Sequence, residues 1–393
     1  MTGKGNILLV ANWDSDVGYA WWLMESFWVA ISSHFREQGM ECYLVYPVIT
    51  KIPEAIADSD IHTLELDFRN HSLPSLKKLY RLIREKSIKY AYLTDSPSYS
   101  LFYPLLRLWG LKSIVIHDHT PGERTPPSRA KFLLKRIIQH TPFITADHYV
   151  AATDFVYHRL INIAGIPEKK CSCTSNVIET FIIDNHNNRY SNEQFGINDK
   201  KKIILKKGRK KNYKWIDFFI ECANFLVNKS GRKDLHFLYC GTGPDIDDFK
   251  TLAYKYKLEE NFTFAGNRND IKEILPSCDI GFHAATGEVG YSLSILEYMS
   301  AGLLTIVPDT PSTSSAITDR EDGFLYKYRD IASATDTILH AVNLEDASRV
   351  SSNAIRKVQQ KYNLSNTKKQ LVRILSNCYL ITHGEANPQG WTD

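Results

Sequence analysis

The chain has 393 residues, a formal net charge of +4, and 43% hydrophobic, 23% charged and 12% aromatic residues. This composition excludes a chain disordered throughout, and at ~150 residues per domain the length points to two or three domains. The small net charge does not suggest a nucleic-acid protein, and no apolar stretch reaches the ~18 residues that a spanning helix needs.

In chain order, the start carries one lysine, a short strand-like run at 7–11 and then Asn12, Asp14 and Asp16, a pattern unlike a signal peptide. The stretch from Trp13 to Tyr19 leads from strand to helix. Its Gly18 either lets the backbone approach a ligand or serves an ordinary connecting turn. Amphipathic stretches at 19–34 and 76–86 alternate with apolar runs at 41–46, 90–93, 113–116 and 148–152. The fourth of these five strands runs out into His117-Asp118-His119-Thr120-Pro121-Gly122. A lone histidine there is either structural or part of a strand-end site. Arg129–His140 mixes Lys131, Lys135 and Arg136 with Phe132, Leu133, Leu134, Ile137 and Ile138. A core-packed helix with a basic outer face is expected, and the alternative is a helix lying on an anionic membrane. Cys171-Ser-Cys173 is too close for an ordinary zinc knuckle, and seven cysteines, an odd number, suit a reduced cytoplasmic protein.

The polar, Asn-rich stretch 179–200 has no periodicity and is the best boundary in the chain. It separates an N-terminal domain, 1–178, from a C-terminal domain, 201–365. In the latter, strands are expected at 202–206, 235–240, 261–265, 280–283 and 303–307, with a helix over 215–227. A helical pattern at 366–379 opens a C-terminal segment, 366–393, that packs back on the first domain and ends in a loose tail. Strands alternating with helices throughout imply an α/β protein with two parallel sheets, and a cleft between such domains is a natural ligand site.

Three further features carry chemistry. Nine cations crowd the stretch from Lys200 to Lys214, most of them expected on a solvated face, but Gly208-Arg209 stands at a strand exit. A guanidinium there, with Lys214 opening the next helix, suits a diphosphate. Gly241-Thr242-Gly243-Pro244 follows a strand and is either a phosphate-approaching turn or a tight turn without ligand. From Gly287 to Gly302 a glycine-bearing loop with Glu288, Val289, Gly290, Tyr291, Ser292 and Leu293 enters a helix, whose N–H groups favour an anion. Within it, Ser294-x-x-Glu297 also fits a capping box, in which Glu297 serves only a backbone N–H. Asp245-Ile246-Asp247 sits in the glycine turn and not on a strand end, so no metal site is expected.

The last loop and helix resemble the retaining glycosyltransferases of family 4, with their acidic residue, Gly-Tyr-Ser-type turn and Leu-Glu-Ala-Met-Ala helix. Gly302-Leu303-Leu304-Thr305-Ile306-Val307, Asp322-Gly323-Phe324-Leu325, Gly208-Arg209-x4-Lys214, Gly241–Pro244 and Phe264-Ala265-Gly266 fall in the family's order. Trp215 stands where glycine is common, and the usual Glu-x7-Glu spacing falls on Val289, one residue after Glu288. The resemblance is strongest over about 200–330. It implies a GT-B fold of two Rossmann-like domains facing a cleft, and transfer of a sugar with retention from a nucleotide-diphosphate-sugar to a glycan or lipid-linked acceptor. It also implies roles: Arg209 and Lys214 on the diphosphate, Glu297 on the ribose, and Glu288 on the sugar with amides near Gly290–Ser292. His117, or alternatively His119, would lie near the donor sugar and leaving phosphate. No cofactor or metal is implied, and the protein would be cytoplasmic, including at the inner face of a membrane. A sugar-nucleotide epimerase of the same fold and a non-catalytic binding subunit are the competing functions.

Overall fold

The computed structural model describes residues 5–17, 21–179, 189–208 and 215–380. They form two compact units. Unit 1 draws on the described residues of 1–120, 124–176 and 365–393, and unit 2 on those of 121–123 and 177–364.

Unit 1 is built on seven strands: β1 (Asn6–Val10), β2 (Cys42–Tyr46), β3 (His62–Glu65), β4 (Ile88–Thr94), β5 (Ser113–Asp118), β6 (His148–Ala151) and β7 (Cys171–Cys173). They lie in the order β3-β2-β1-β4-β5-β6-β7, every pair parallel. All five residues of β2 are buried, as are six of seven in β4. Continuous apolar runs of this kind belong to parallel strands covered on both faces.

Unit 2 has six parallel strands: β8 (Lys202–Lys207), β9 (Leu235–Cys240), β10 (Phe262–Gly266), β11 (Ile280–Phe282), β12 (Leu304–Pro308) and β13 (Phe324–Tyr326). Their order is β10-β9-β8-β11-β12-β13. Its core explains the high aromatic content. Phe219, on the helix Ile216–Asn224, packs on Phe237 of β9 at 5.3 Å and on Phe282 of β11 at 5.5 Å. Phe282 in turn stacks on Tyr326 of β13 at 5.3 Å.

Both units therefore repeat one winding. The first strand of each has the second on one side and the fourth on the other, so the strand order reverses between β1 and β4 and between β8 and β11. A crevice opens beyond the carboxyl ends of the strands at such a reversal, where ligands bind in open α/β sheets.

Three strands escape the sequence patterns: β3, β7 and β13. Each is only three or four residues long, and β3 is an edge strand with no buried residue. The stretch 179–200 is not featureless, since Tyr190–Phe195 is a helix whose buried Ser191 Oγ lies 2.6 Å from Ser277 Oγ. Arg129–His140 corrects an expectation more sharply. Of its twelve residues only Gln139 is buried, so it is not a core-packed helix. The helix Leu364–Leu380 belongs to unit 1: Leu371, Leu375 and Tyr379 are buried, Tyr379 stacks on Tyr90 at 4.6 Å, and Ser376 Oγ lies 3.0 Å from His34 Nε2.

Candidate functional site

In unit 2, β8 leaves the sheet at Lys207-Gly208. The Lys207 ammonium forms an ion pair with Glu297, the two side chains being only 12% and 9% exposed. The Lys207 backbone N–H donates to Tyr298 Oη at 2.6 Å. Gly208 N–H donates to Cys240 O at 3.1 Å, and Gly208 O accepts from Tyr239 Oη at 3.0 Å. A Cβ on Gly241 would stand 2.0 Å from Gly208 O, so glycine is required where the ends of β8 and β9 meet. Gly243 O receives Ile246 N–H at 3.3 Å as the chain enters the helix Ile246–Lys255. The glycine turn thus has a packing reason of its own.

Across the strand reversal, β11 runs into buried His283, whose N–H donates to Ile306 O at 2.8 Å. Its Nε2 lies 3.8 Å from Glu288 Oε1. The intervening loop turns on Gly287 and Gly290, at φ +75° and +113°, a region that disfavours side chains. Ser312 anchors this loop, its Oγ accepting from Gly287 N–H at 3.2 Å and its carbonyl from Gly290 N–H at 2.9 Å. The loop places the Glu288 carboxylate, one position before Val289, beside His283.

The helix Leu293–Ser300 begins after Ser292, which makes no side-chain cap although its Oγ is buried. The capping-box expectation fails here. Ser294 lies inside the helix, two residues too late to cap it, and Glu297 is turned to Lys207 instead. Tyr291 is buried with its ring edge-on to Tyr362 at 5.2 Å, so this residue offers a ligand its backbone and not its ring. Leu293 is half-buried in the first turn. Chemically, the crevice holds a carboxylate with an ammonium partner, a second carboxylate beside an imidazole, and a helix start without a side-chain cap. Carboxylates accept hydrogen bonds from hydroxyls, and a free helix N-terminus favours an anion.

Arg209 and Lys214, expected on the diphosphate, and Gly18 lie outside the described residues. Just beyond that stretch Trp215 has φ +50°, the left-handed region that favours glycine. The Arg329 guanidinium covers its ring at 3.9 Å.

Unit 1 has its own strand-end cluster. Asp95, just after β4, sits at φ +48° and is held by the His119 N–H and the Asn12 side chain. Burial, with the Asp118 charge adding to it, pushes its pKa up to about 7. Asp118 accepts from Thr120 Oγ1 at 2.6 Å and from Arg159 at 3.2 Å. His117 is fully buried within β5, its Nδ1 on Tyr92 Oη and its Nε2 3.2 Å from Thr174 Oγ1. Burial holds its pKa well below the ordinary histidine value. Both nitrogens being occupied inside the sheet, His117 is a core residue, and the order of preference between the two histidines reverses. His119 stands beyond the strand end and is neutral as well, burial lowering its pKa to about 4.

Four residues went unrecognised in the sequence: Lys207, His283, Asp95 and Arg159. The first three share one legible signal, a polar residue at the carboxyl end of a strand that flanks the strand-order reversal. Lys207 was obscured by the eight other cations around it. Arg159 carried no such mark, because it comes from a helix, Asp154–Asn162.

Residues 188–358 match the family model of glycosyl transferases group 1. A putative glycosyltransferase of Bacillus subtilis (strain 168), EpsD, is 27% identical over 157 residues, a match spanning 40% of this chain and 40% of EpsD. Among solved structures, a glycosyltransferase from Rickettsia africae ESF-5 superposes with a TM-score of 0.76 at 16% identity, covering 97% of this chain and 99% of that one. Anabaena Alr3699/HepE in complex with UDP-glucose gives 0.72 at 14% identity, covering 95% and 100%. The two Rossmann-like parallel-sheet units of this chain thus form a GT-B fold, with the match to glycosyl transferases group 1 running through the second of them.

Proposed function

We propose that this chain is a retaining glycosyltransferase of the family 4 type, moving a sugar from a nucleotide-diphosphate-sugar to a hydroxyl of a glycan or lipid-linked acceptor. The observation that carries this reading is the Lys207–Glu297 pair beside Gly208 at the β8/β11 reversal, with Glu288 across it, inside the segment matched to glycosyl transferases group 1. In this reading Glu297 accepts hydrogen bonds from the ribose hydroxyls, and Lys207 holds that carboxylate in place. Arg209 and Lys214 hold the diphosphate, together with the amides of Gly290–Leu293. Glu288 meets the transferred sugar. The anomeric C–O bond to phosphate breaks as the acceptor oxygen bonds on the same face, and the acceptor proton passes to the departing phosphate. Stabilising that phosphate supplies much of the catalysis, so no dedicated base is assigned. The crevice of unit 1, with Asp95 and His119, is the acceptor side. Metal independence and a cytoplasmic location complete the proposal.

The test is a thermal-shift screen of nucleoside diphosphates and their sugars, followed by transfer to an acceptor panel with and without EDTA. A ligand at a hundred times its Kd adds about 2.7 kcal/mol of stability. Transfer that survives EDTA and keeps the donor's anomeric configuration supports the proposal. A sugar altered without acceptor indicates an epimerase, binding without turnover indicates a binding subunit, and no shift with any nucleotide overturns the donor site.

A further inference from the structure

The helix Arg129–His140 has an apolar face left exposed among the described residues. Gln139 is buried and Phe132, Lys135 and Ile138 are half-buried, which places the packed side of the helix on those four residues. The opposite side carries Leu133, Leu134 and Ile137, which are 61%, 57% and 59% exposed. Helical spacing puts Ile137 at the centre of that side, Arg129 and Arg136 along one border and Lys131 along the other. All three of those cations are exposed. A shallow apolar groove runs from Leu133 and Ile137 to Pro142.

The patch continues past the helix. Phe143 is 66% exposed although its backbone lies at φ +68°, a strained conformation for an aromatic residue. Its carbonyl accepts from Arg107 Nε at 3.3 Å, and Ile144 O accepts from Ser100 N–H at 2.8 Å. These bonds tie in the helix Phe102–Trp109, beside and within which Leu101 and Leu108 are 86% and 80% exposed. An apolar surface of this extent, presented by two elements and bordered by cations, marks an interaction site.

Charge decides the occupant. Between Glu123 and Asp147 the sequence has five Lys and Arg residues and no acid. An apolar strip with basic borders on both sides fits the interface of an anionic lipid bilayer, where leucine and phenylalanine enter the acyl boundary and lysine and arginine meet the headgroups. A second copy of this chain would set the same cations against each other. We propose that this face docks unit 1 peripherally on an anionic membrane. The proposal does not depend on the glycosyl-transfer reading, and among the described residues no helix is long and apolar enough to cross a membrane.

The experiment is co-sedimentation of the full chain with vesicles of phosphatidylcholine alone and of phosphatidylcholine with 30 mol% phosphatidylglycerol, a composition of roughly the anionic density such surfaces sense. Binding to the anionic vesicles, weakened by salt and at least about tenfold weaker on neutral ones, is expected. Arg129→Gln/Lys131→Gln/Arg136→Gln should weaken it by about a hundredfold, and Leu133→Ser/Ile137→Ser/Phe143→Ser should abolish it. These side chains are exposed, so unchanged melting temperatures establish that the variants fold. Equal binding to both vesicle types, binding indifferent to either variant, or no binding at all overturns the proposal. So does a concentration-dependent dimer in sedimentation velocity that the serine variant converts to monomer, since the face would then belong to a second copy.

Discussion

Replacing Glu297 by glutamine removes one negative charge and almost no volume. The carboxylate is 9% exposed and its partner Lys207 12%, so the change strands an ammonium in a nearly dry site. Breaking one side of a buried pair costs about 3–5 kcal/mol, mostly because the remaining charge keeps its desolvation cost without its attraction. A capping-box glutamate would behave differently, because glutamine reaches the same backbone N–H and stability would hardly change. Lys207→Met strands the carboxylate instead and should cost a similar amount. The double variant leaves no charge behind and should fall short of the summed single losses by about 2–4 kcal/mol. Urea unfolding of the four proteins at pH 7 gives the cycle, with equal m-values as the control on a common denatured state. The same variants report on ligand. Glutamine accepts a hydroxyl hydrogen bond without charge assistance, so nucleoside diphosphate should bind about 10 to 100 times more weakly to Glu297→Gln. A Glu297→Gln protein within about 0.5 kcal/mol of the parent refutes the buried-pair reasoning, and unchanged nucleotide affinity removes the ribose role.

Asp95 gives a pH test. Its pKa rises on folding from 3.8 to about 7, so the folded state holds a proton that the unfolded chain releases, and stability falls as pH climbs through that window. Relative to the parent, Asp95→Asn should therefore gain about 4 kcal/mol between pH 4 and pH 8, and a difference flat with pH contradicts the burial of that acid. Glu288→Ala should lower kcat by about 10 to 100 times while nucleoside diphosphate affinity stays within about twofold, as measured by initial rates and calorimetry; a normal kcat removes Glu288 from the sugar site. Gly241→Ala drives a methyl to 2.0 Å from the Gly208 carbonyl and should destabilise by more than about 2 kcal/mol in urea, whereas a neutral effect means that the strand ends do not meet as described.

Most strands of both sheets were legible because parallel strands buried on both faces appear as unbroken apolar runs, as Cys42–Tyr46 and Leu235–Cys240 do. β3, β7 and β13 were not; β3 and β7 have no buried residue, so neither appears as an apolar run. The ends of β8, β9 and β11 were also legible, because glycines and polar residues interrupt those runs at the carboxyl ends. What the sequence could not carry was partnership. Glu297 meets Lys207 across 90 residues, and no local spacing announces a pair joined by the return of one strand beside another. The same holds for His117, where placement at a strand end suggested a site, while Tyr92 and Thr174 from neighbouring segments seal the ring into the sheet. The exposed face of Arg129–His140 went astray in the opposite sense. Amphipathic spacing says that a helix has two sides, but not which of them finds a neighbour.

The helix Leu364–Leu380 makes unit 1 discontinuous in the chain, and this sets an order of events on the ribosome. Tyr90 of β4 and Phe35 of the first long helix emerge early, yet the ring that covers both, Tyr379, is translated after the whole of 177–364. Nascent unit 1 therefore waits with an uncovered aromatic patch while the second unit, an uninterrupted stretch apart from 121–123, is able to close first. At ~5–20 residues per second that interval lasts about ten seconds or longer, a span in which a chaperone has time to act. A chain stopped short of Leu364 would finish its second unit and leave its first without a lid on the Tyr90 face.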